Sequence, residues 1–127
     1  MSPAVPTLKG KRILLVEDDP TLAPFLQMVL SESGAEVKVV LDPAHAPDEL
    51  KALGSLDVLV TDVVLPGKSG FQLAAEISAA HPKARVLFMS GFGDPEIGAR
   101  DLLAPFDTLL KPFLPEDFTA KVLGLLR

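Results

Sequence analysis

The chemical promise of this chain is concentrated in four acidic side chains: the block Glu17-Asp18-Asp19 and the single Asp62. Each falls at the C-terminal end of an apolar run that reads as a buried strand. If those strands are neighbours, the carboxylates meet. In an open α/β sheet, ligands bind beyond the carboxyl ends of the strands where the winding reverses, so chemistry is expected there. Three or four carboxylates at one point repel each other unless a hard cation sits among them, and Mg²⁺ with oxygen ligands fits that need. Taken singly, each group has a plainer reading. An acidic turn after a strand is most often merely solvated, Ser90 before Gly91 reads as a turn residue, and Lys111 reads as an ordinary strand-end charge. Their joint occurrence at the ends of alternate β units carries the inference.

The elements that must position these groups alternate five times between short β-type runs and helical patterns, the signature of a parallel sheet covered on both faces. The strands are expected at Arg12 to Glu17, Glu36 to Val40, Asp57 to Thr61, Arg85 to Met89 and Thr108 to Leu110. Several are almost uniformly apolar, as strands buried on both faces should be. Leu22, Phe25, Leu26, Val29 and Leu30 form a stripe at helical spacing that Gly34 ends. With Thr21 as its cap, Pro24 lies harmlessly in the first turn; with Asp19 as cap, Pro24 would delete a hydrogen bond. Thr21 is therefore the expected cap. Pro43 and Pro47 shorten the second helix to about Asp48 to Leu53. The third runs from about Gly70 to Ala80 behind Ser69 as cap, and stops before His81-Pro82. A fourth is expected to open at Asp94-Pro95, weakened by Gly98, and a fifth at Pro115 with Phe118, Val122 and Leu126 four apart. The Pro-bearing start, residues 1–10, is expected to be a disordered tail before a single domain over residues 11–127.

Composition agrees with one globular unit. At 127 residues with 48% hydrophobic content, the chain can bury one sizeable core. It has no cysteine and two scattered histidines, which exclude disulfides, thiolate metal sites, a Cys nucleophile and a self-contained zinc site. A net charge of −5 with no basic stripe argues against direct nucleic-acid binding. No stretch approaches the roughly 20 apolar residues that span a bilayer, and Met1 to Lys11 lacks a signal-peptide core, so a cytoplasmic protein without membrane contact is expected.

Four motifs then stand in order: Ile13-Leu14-Leu15-Val16-Glu17-Asp18-Asp19, Asp62-Val63-Val64-Leu65-Pro66-Gly67-Lys68-Ser69-Gly70, Met89-Ser90-Gly91, and Lys111-Pro112-Phe113. In this order and at these spacings they resemble the receiver domain of two-component response regulators, over about Lys11 to Arg127. The resemblance implies a (βα)5, doubly wound, flavodoxin-like parallel sheet of five strands in the order 2-1-3-4-5. It implies Asp62 as phosphoryl acceptor, Asp18 as a direct Mg²⁺ ligand, Glu17 as a ligand directly or through water, and the Val64 carbonyl as a backbone ligand. Lys111 would pair with Asp62 at rest and with phosphoryl oxygens afterwards, Ser90 would bond a phosphoryl oxygen, and Asp19 would be a surface acid beside the site. The implied donor is a sensor histidine kinase or a histidine phosphotransfer protein. The implied output is a protein-interaction surface around the fourth helix, fifth strand and fifth helix, with phosphorylation-dependent homodimerisation as one form. The Lys111–Pro112 bond is a cis candidate.

Three positions depart from the family pattern. Thr108 stands where many receivers carry a switching aromatic, while Val64 and Phe92 are apolar where polar side chains orient a hydrolytic water. A long-lived aspartyl phosphate is expected. Among rival readings, Gly67-Lys68-Ser69 lacks the earlier glycine of a Walker A loop, Asp62 occupying that place, and a haloacid-dehalogenase-type phosphohydrolase would need an Asp where Val64 stands. The stronger rival is a receiver-fold interaction module that is not phosphorylated; the complete set Glu17, Asp18, Asp62, Ser90 and Lys111 argues against it. With no output segment after the fifth helix, the chain reads either as a stand-alone regulator or as a piece of a hybrid histidine kinase, whose receivers resemble the stretches Leu8 to Arg12 and Met89 to Phe92.

Overall fold

A computed structural model describes residues 7–91 and 107–126. Five parallel strands form one sheet in the order β2-β1-β3-β4-β5: β1 (Arg12–Val16), β2 (Glu36–Val40), β3 (Val58–Asp62), β4 (Arg85–Gly91) and β5 (Asp107–Lys111). This is the expected order. The helices among the described residues are α1 (Leu22–Glu32), α2 (Ala46–Leu53), α3 (Gly70–Ala80) and α4 (Pro115–Leu125), with a 3₁₀ turn at Pro43–His45 before α2. Here α4 is the fifth helical segment of the sequence. The expected fourth segment at Asp94-Pro95, with Gly98, lies outside the described residues, as do Phe92 and Phe106.

Side chains alternate across each strand, so one sequence run serves two cores. Ile13, Leu15, Val58, Val60, Leu87 and Met89 face one side and pack with Leu26 and Leu30 of α1 and Phe118 and Val122 of α4. Leu14, Val16, Leu59, Val63 and Phe88 face the other and pack with Leu53 of α2 and Leu73 and Ile77 of α3. Near-continuous apolar strands are thus explained by helices on both faces.

Helix boundaries follow local chemistry. Ser69 accepts from the Gln72 amide at 3.1 Å and starts α3 where expected. Pro47 sits at the tolerated first turn of α2, which begins two residues earlier than expected. At α1 the boundary residue is Thr21, but its hydroxyl makes no capping bond; Asp19 Oδ1 accepts from the Thr21 and Leu22 amides at 2.8 and 3.2 Å. The expected start of α1 holds, and Asp19, exposed as expected of a surface acid, also caps the helix.

The expected disordered tail through Gly10 is corrected at its inner end. Leu8 is fully buried in the α1–α4 core, its amide donating to the Ser33 carbonyl at 2.8 Å. Gly34, at φ +99°, meets Lys9 so closely that an added Cβ would lie 2.9 Å from its Cα. Burial of one leucine outweighs the local Pro and Gly content. Arg12 ties the lower edge of the sheet to α2: its guanidinium bonds the Leu53 carbonyl and Ser55 Oγ, and its amide donates to Asp57 Oδ2 at 2.8 Å. The Lys111–Pro112 peptide is cis. Among the described residues no helix is long and apolar enough to cross a membrane.

Candidate functional site

The parallel register gathers the chemistry at one end of the sheet. Val16 pairs with Thr61 across β1 and β3, so Glu17 and Asp62, the next residues on each, emerge side by side. Asp62 pairs with Met89 on β4, and Ser90 and Gly91 pair with Leu110 and Lys111 on β5. The sheet therefore delivers Glu17, Asp62, Ser90 and Lys111 from four strands, with Asp18 on the loop after β1. Strand β4 extends to Gly91, two residues beyond expectation, because it keeps pairing with β5 as far as Lys111.

One oxygen each from Glu17, Asp18 and Asp62 lies within 4.8 Å of the others. Glu17 and Asp62 are nearly buried, at 1% and 5% exposure, whereas Asp18 faces solvent. Lys111 Nζ reaches Glu17 Oε1 at 2.6 Å and Asp62 Oδ1 at 2.7 Å. The sequence expectation paired this lysine with Asp62; in the structure it bridges both carboxylates. Asp62 Oδ2 and Ser90 Oγ are buried with no hydrogen-bond partner among the described residues. Buried polar atoms are almost always satisfied, so two such atoms at the same end of neighbouring strands mark a place built to receive polar ligand atoms.

The electrostatics follow from two buried carboxylates sharing one ammonium. Burial pushes the Asp62 carboxyl up to about 8, its hydrogen bond with Glu17 acts in the same direction, and Lys111 opposes both. Burial also pushes Glu17 upward, but hydrogen bonds with Asp62 and Lys111 outweigh it and leave that carboxyl below its ordinary value. The two carboxylates therefore titrate as a coupled pair, with burial and the neighbouring Glu17 disfavouring the charged form of Asp62. Burial works against the Lys111 charge, yet its hydrogen bonds to Asp62 and Glu17 prevail and raise its pKa. Partial burial raises Asp18, and the adjacent Glu17 charge adds to it. Asp19 is lowered by the amides of Thr21 and Leu22, consistent with a cap. An oxygen-only donor set this tight suits a hard divalent cation.

A receiver-domain model decides the family. The description "Response regulator receiver domain" matches residues 13–123. The chain belongs to the response regulator receiver family. Relatives of this receiver include the uncharacterized transcriptional regulatory protein YbdJ of Bacillus subtilis, 33% identical over 94% of this chain and 52% of that protein. The transcriptional regulatory protein CreB of Escherichia coli is 34% identical over 94% and 52% of the two chains. This receiver spans about half the length of the curated relatives it matches. Among solved structures, a response regulator from Chloroflexus aurantiacus superposes with a TM-score of 0.78 at 29% identity, covering 93% of this chain and 98% of that one. The receiver of a signal transduction histidine kinase from Syntrophus aciditrophicus gives 0.78 at 28% identity, covering 92% and 90%.

The loop from β3 to α3 completes the site. Val64 is exposed at 43% two residues after Asp62, and Lys68 reaches along α3 to pair with Glu76. Sequence reading left three contributors here unassigned. The Lys68–Glu76 pair joins the loop to α3 across eight residues, a spacing that helical periodicity does not pair because Lys68 lies outside the helix. Thr61 and Gly70, which both meet the Asp62 main chain, carry no distinguishing local pattern. Thr108, the residue that departs from the family pattern on β5, pairs with Phe88 of β4.

Proposed function

We propose that this receiver accepts a phosphoryl group on Asp62 from a phosphohistidine of a sensor histidine kinase or histidine phosphotransfer protein, with Mg²⁺ held by Glu17, Asp18, Asp62 and the Val64 carbonyl. The supporting observation is the divided environment of Asp62. One oxygen is held 2.7 Å from the Lys111 ammonium, while the other is buried and unpartnered. Oδ2 attacks phosphorus; the new O–P bond forms as the P–N bond to the donor imidazole breaks, and the leaving electron pair returns to the ring nitrogen. Asp62 reacts as the carboxylate, the form that Lys111 and a bound cation favour. When bound, Mg²⁺ supplies the positive charge that such a crowded acidic site and the phosphoryl oxygens require. Lys111 exchanges its Asp62 contact for a phosphoryl oxygen, and Ser90 Oγ donates to another. Phosphoryl transfer needs little covalent help from protein groups beyond this positioning and charge.

This makes the chain a signalling domain whose state is read by a protein partner at the surface around β5 and α4. Hydrolysis breaks the same O–P bond by attack of water at phosphorus, and apolar Val64, two residues after Asp62, orients no water, which favours a long-lived phosphoprotein. The test is intact mass after incubation with Mg²⁺ and acetyl phosphate, comparing wild type with Asp62→Asn. Gain of one phosphoryl group in wild type alone supports the reading. No gain, with no Mg²⁺ binding, would replace it with an interaction module that works unphosphorylated.

A further inference from the structure

Asp62 is gripped through its main chain as well as its side chain. Thr61, fully buried, donates its hydroxyl to the Asp62 carbonyl oxygen at 3.0 Å. At the same atom α3 approaches so closely that a Cβ on Gly70 would overlap that oxygen and lie 2.9 Å from the carbonyl carbon and 3.0 Å from Val63 Cα. The Gly70 amide donates to the Val63 carbonyl at 2.7 Å, and the Val63 amide donates to Met89 at 3.0 Å. Gly70 does not need a positive φ here; it needs the missing side chain, because every atom it would strike is backbone and cannot swing aside.

We infer that Thr61 and Gly70 are positioning residues that together fix the Asp62 main chain at its carbonyl, and with it the direction of its carboxylate and of the Val64 carbonyl two residues on. The inference rests on the phosphoacceptor reading above. The Asp62 side chain is short and Lys111 holds one of its oxygens, so its two torsions have little freedom to offset a shift of the main chain, which carries the nucleophilic oxygen with it. Displacements near 1 Å cost a reaction of this kind on the order of 100-fold, because the attacking atom leaves its near-attack position. A hydroxyl aimed at the acceptor's own carbonyl also satisfies an oxygen that would otherwise move toward another donor. Thr61 is fully buried and its hydroxyl has that carbonyl within reach, so its polar atom serves the site rather than solvent.

The test compares wild type, Thr61→Val, Thr61→Ser and Gly70→Ala in the full chain. Valine keeps the shape and β-branching of threonine and removes the donor; serine keeps the donor and removes the methyl. Three readouts are taken: amide hydrogen exchange at Val63 and Gly70, Mg²⁺ affinity by calorimetry, and acetyl phosphate-driven phosphorylation at saturating and half-saturating donor. In Thr61→Val, exchange at Val63 and Gly70 quickens while the Val60 amide is unchanged. The maximal phosphorylation rate falls by about tenfold with the half-saturating donor concentration within about twofold, the pattern of a displaced nucleophile rather than lost binding. Thr61→Ser returns the rate to near wild type. Gly70→Ala shows the larger rate loss; if it does not fold, the threonine pair decides alone. Wild-type rate and exchange in Thr61→Val, with only a lower melting temperature, would overturn the positioning role. A wild type that takes up no phosphoryl group would sink the phosphoacceptor reading, while the exchange readout would still decide whether Thr61 fixes the Asp62 main chain.

Discussion

Replacing Lys111 with methionine keeps the aliphatic stem and deletes the cation that, among the described residues, faces both buried carboxylates. Lys111 lies 2.6 Å from Glu17 and 2.7 Å from Asp62, whose side chains are 1% and 7% exposed. Deleting one partner of a buried ion pair costs ~3–5 kcal/mol, because the remaining charge stays buried without compensation. Two features reduce that figure. The lysine side chain is itself one-quarter exposed, and Asp62, already pushed up to about 8, can take a proton instead of holding its charge. A net loss of ~2 kcal/mol follows, which lowers the melting temperature of a domain this size by about 8 °C. Mg²⁺ should repair the variant more than it helps wild type, since the lysine no longer competes for the same oxygens. A tenfold gain in Mg²⁺ affinity would add ~1.4 kcal/mol of stabilisation at saturating metal. The assay is paired thermal melts of both chains in EDTA and in millimolar Mg²⁺. Equal melting in EDTA, or an equal Mg²⁺ increment in the two chains, would refute the view that Lys111 is the site's internal cation.

Other perturbations separate the scaffold from the site. Leu8→Ala should cost ~2–4 kcal/mol in urea denaturation, as expected for a buried leucine; a loss below about 0.5 kcal/mol would mean that the segment before β1 is not docked. Arg12→Ala removes the guanidinium from the end of α2 and should cost ~1–2 kcal/mol while leaving the phosphorylation rate unchanged. Val64→Asn places a polar group two residues after the acceptor and should shorten phosphoprotein lifetime by about tenfold, read from its decay by intact mass. Equal or slower decay would remove Val64 from any account of lifetime.

Much of the fold could be read from the chain because its signals are local. Apolar strands at Ile13 to Val16 and Val58 to Val60, the Ser69 cap and the Pro115 start each depend on a few adjacent residues. The carboxylates were legible for the same reason: an acid at the end of a buried strand has few places to point. Strand order was a different matter, and came from resemblance rather than from periodicity. What escaped depends on contacts between distant segments. Leu8 looks like part of a Pro-bearing tail until Ser33 and Gly34 are seen to receive it. Asp19 lost the cap position to Thr21 on the strength of Pro24, yet its carboxylate makes the bonds, because the turn before α1 folds back over two amides. Gly70 looked like a helix-start residue; only the return of the β3–α3 loop reveals that its missing side chain makes room for the Asp62 carbonyl.

The central claim concerns which atom carries the phosphoryl group, and chemical trapping measures it directly. After incubation with Mg²⁺ and acetyl phosphate, borohydride reduces an acyl phosphate to the alcohol, and peptide mass spectrometry then reports the side chain that carried it. The account predicts reduction at Asp62 alone, absent when EDTA is added. Reduction at Glu17 or Asp18 with Asp62 intact, or labelling that persists without a divalent cation, would contradict it.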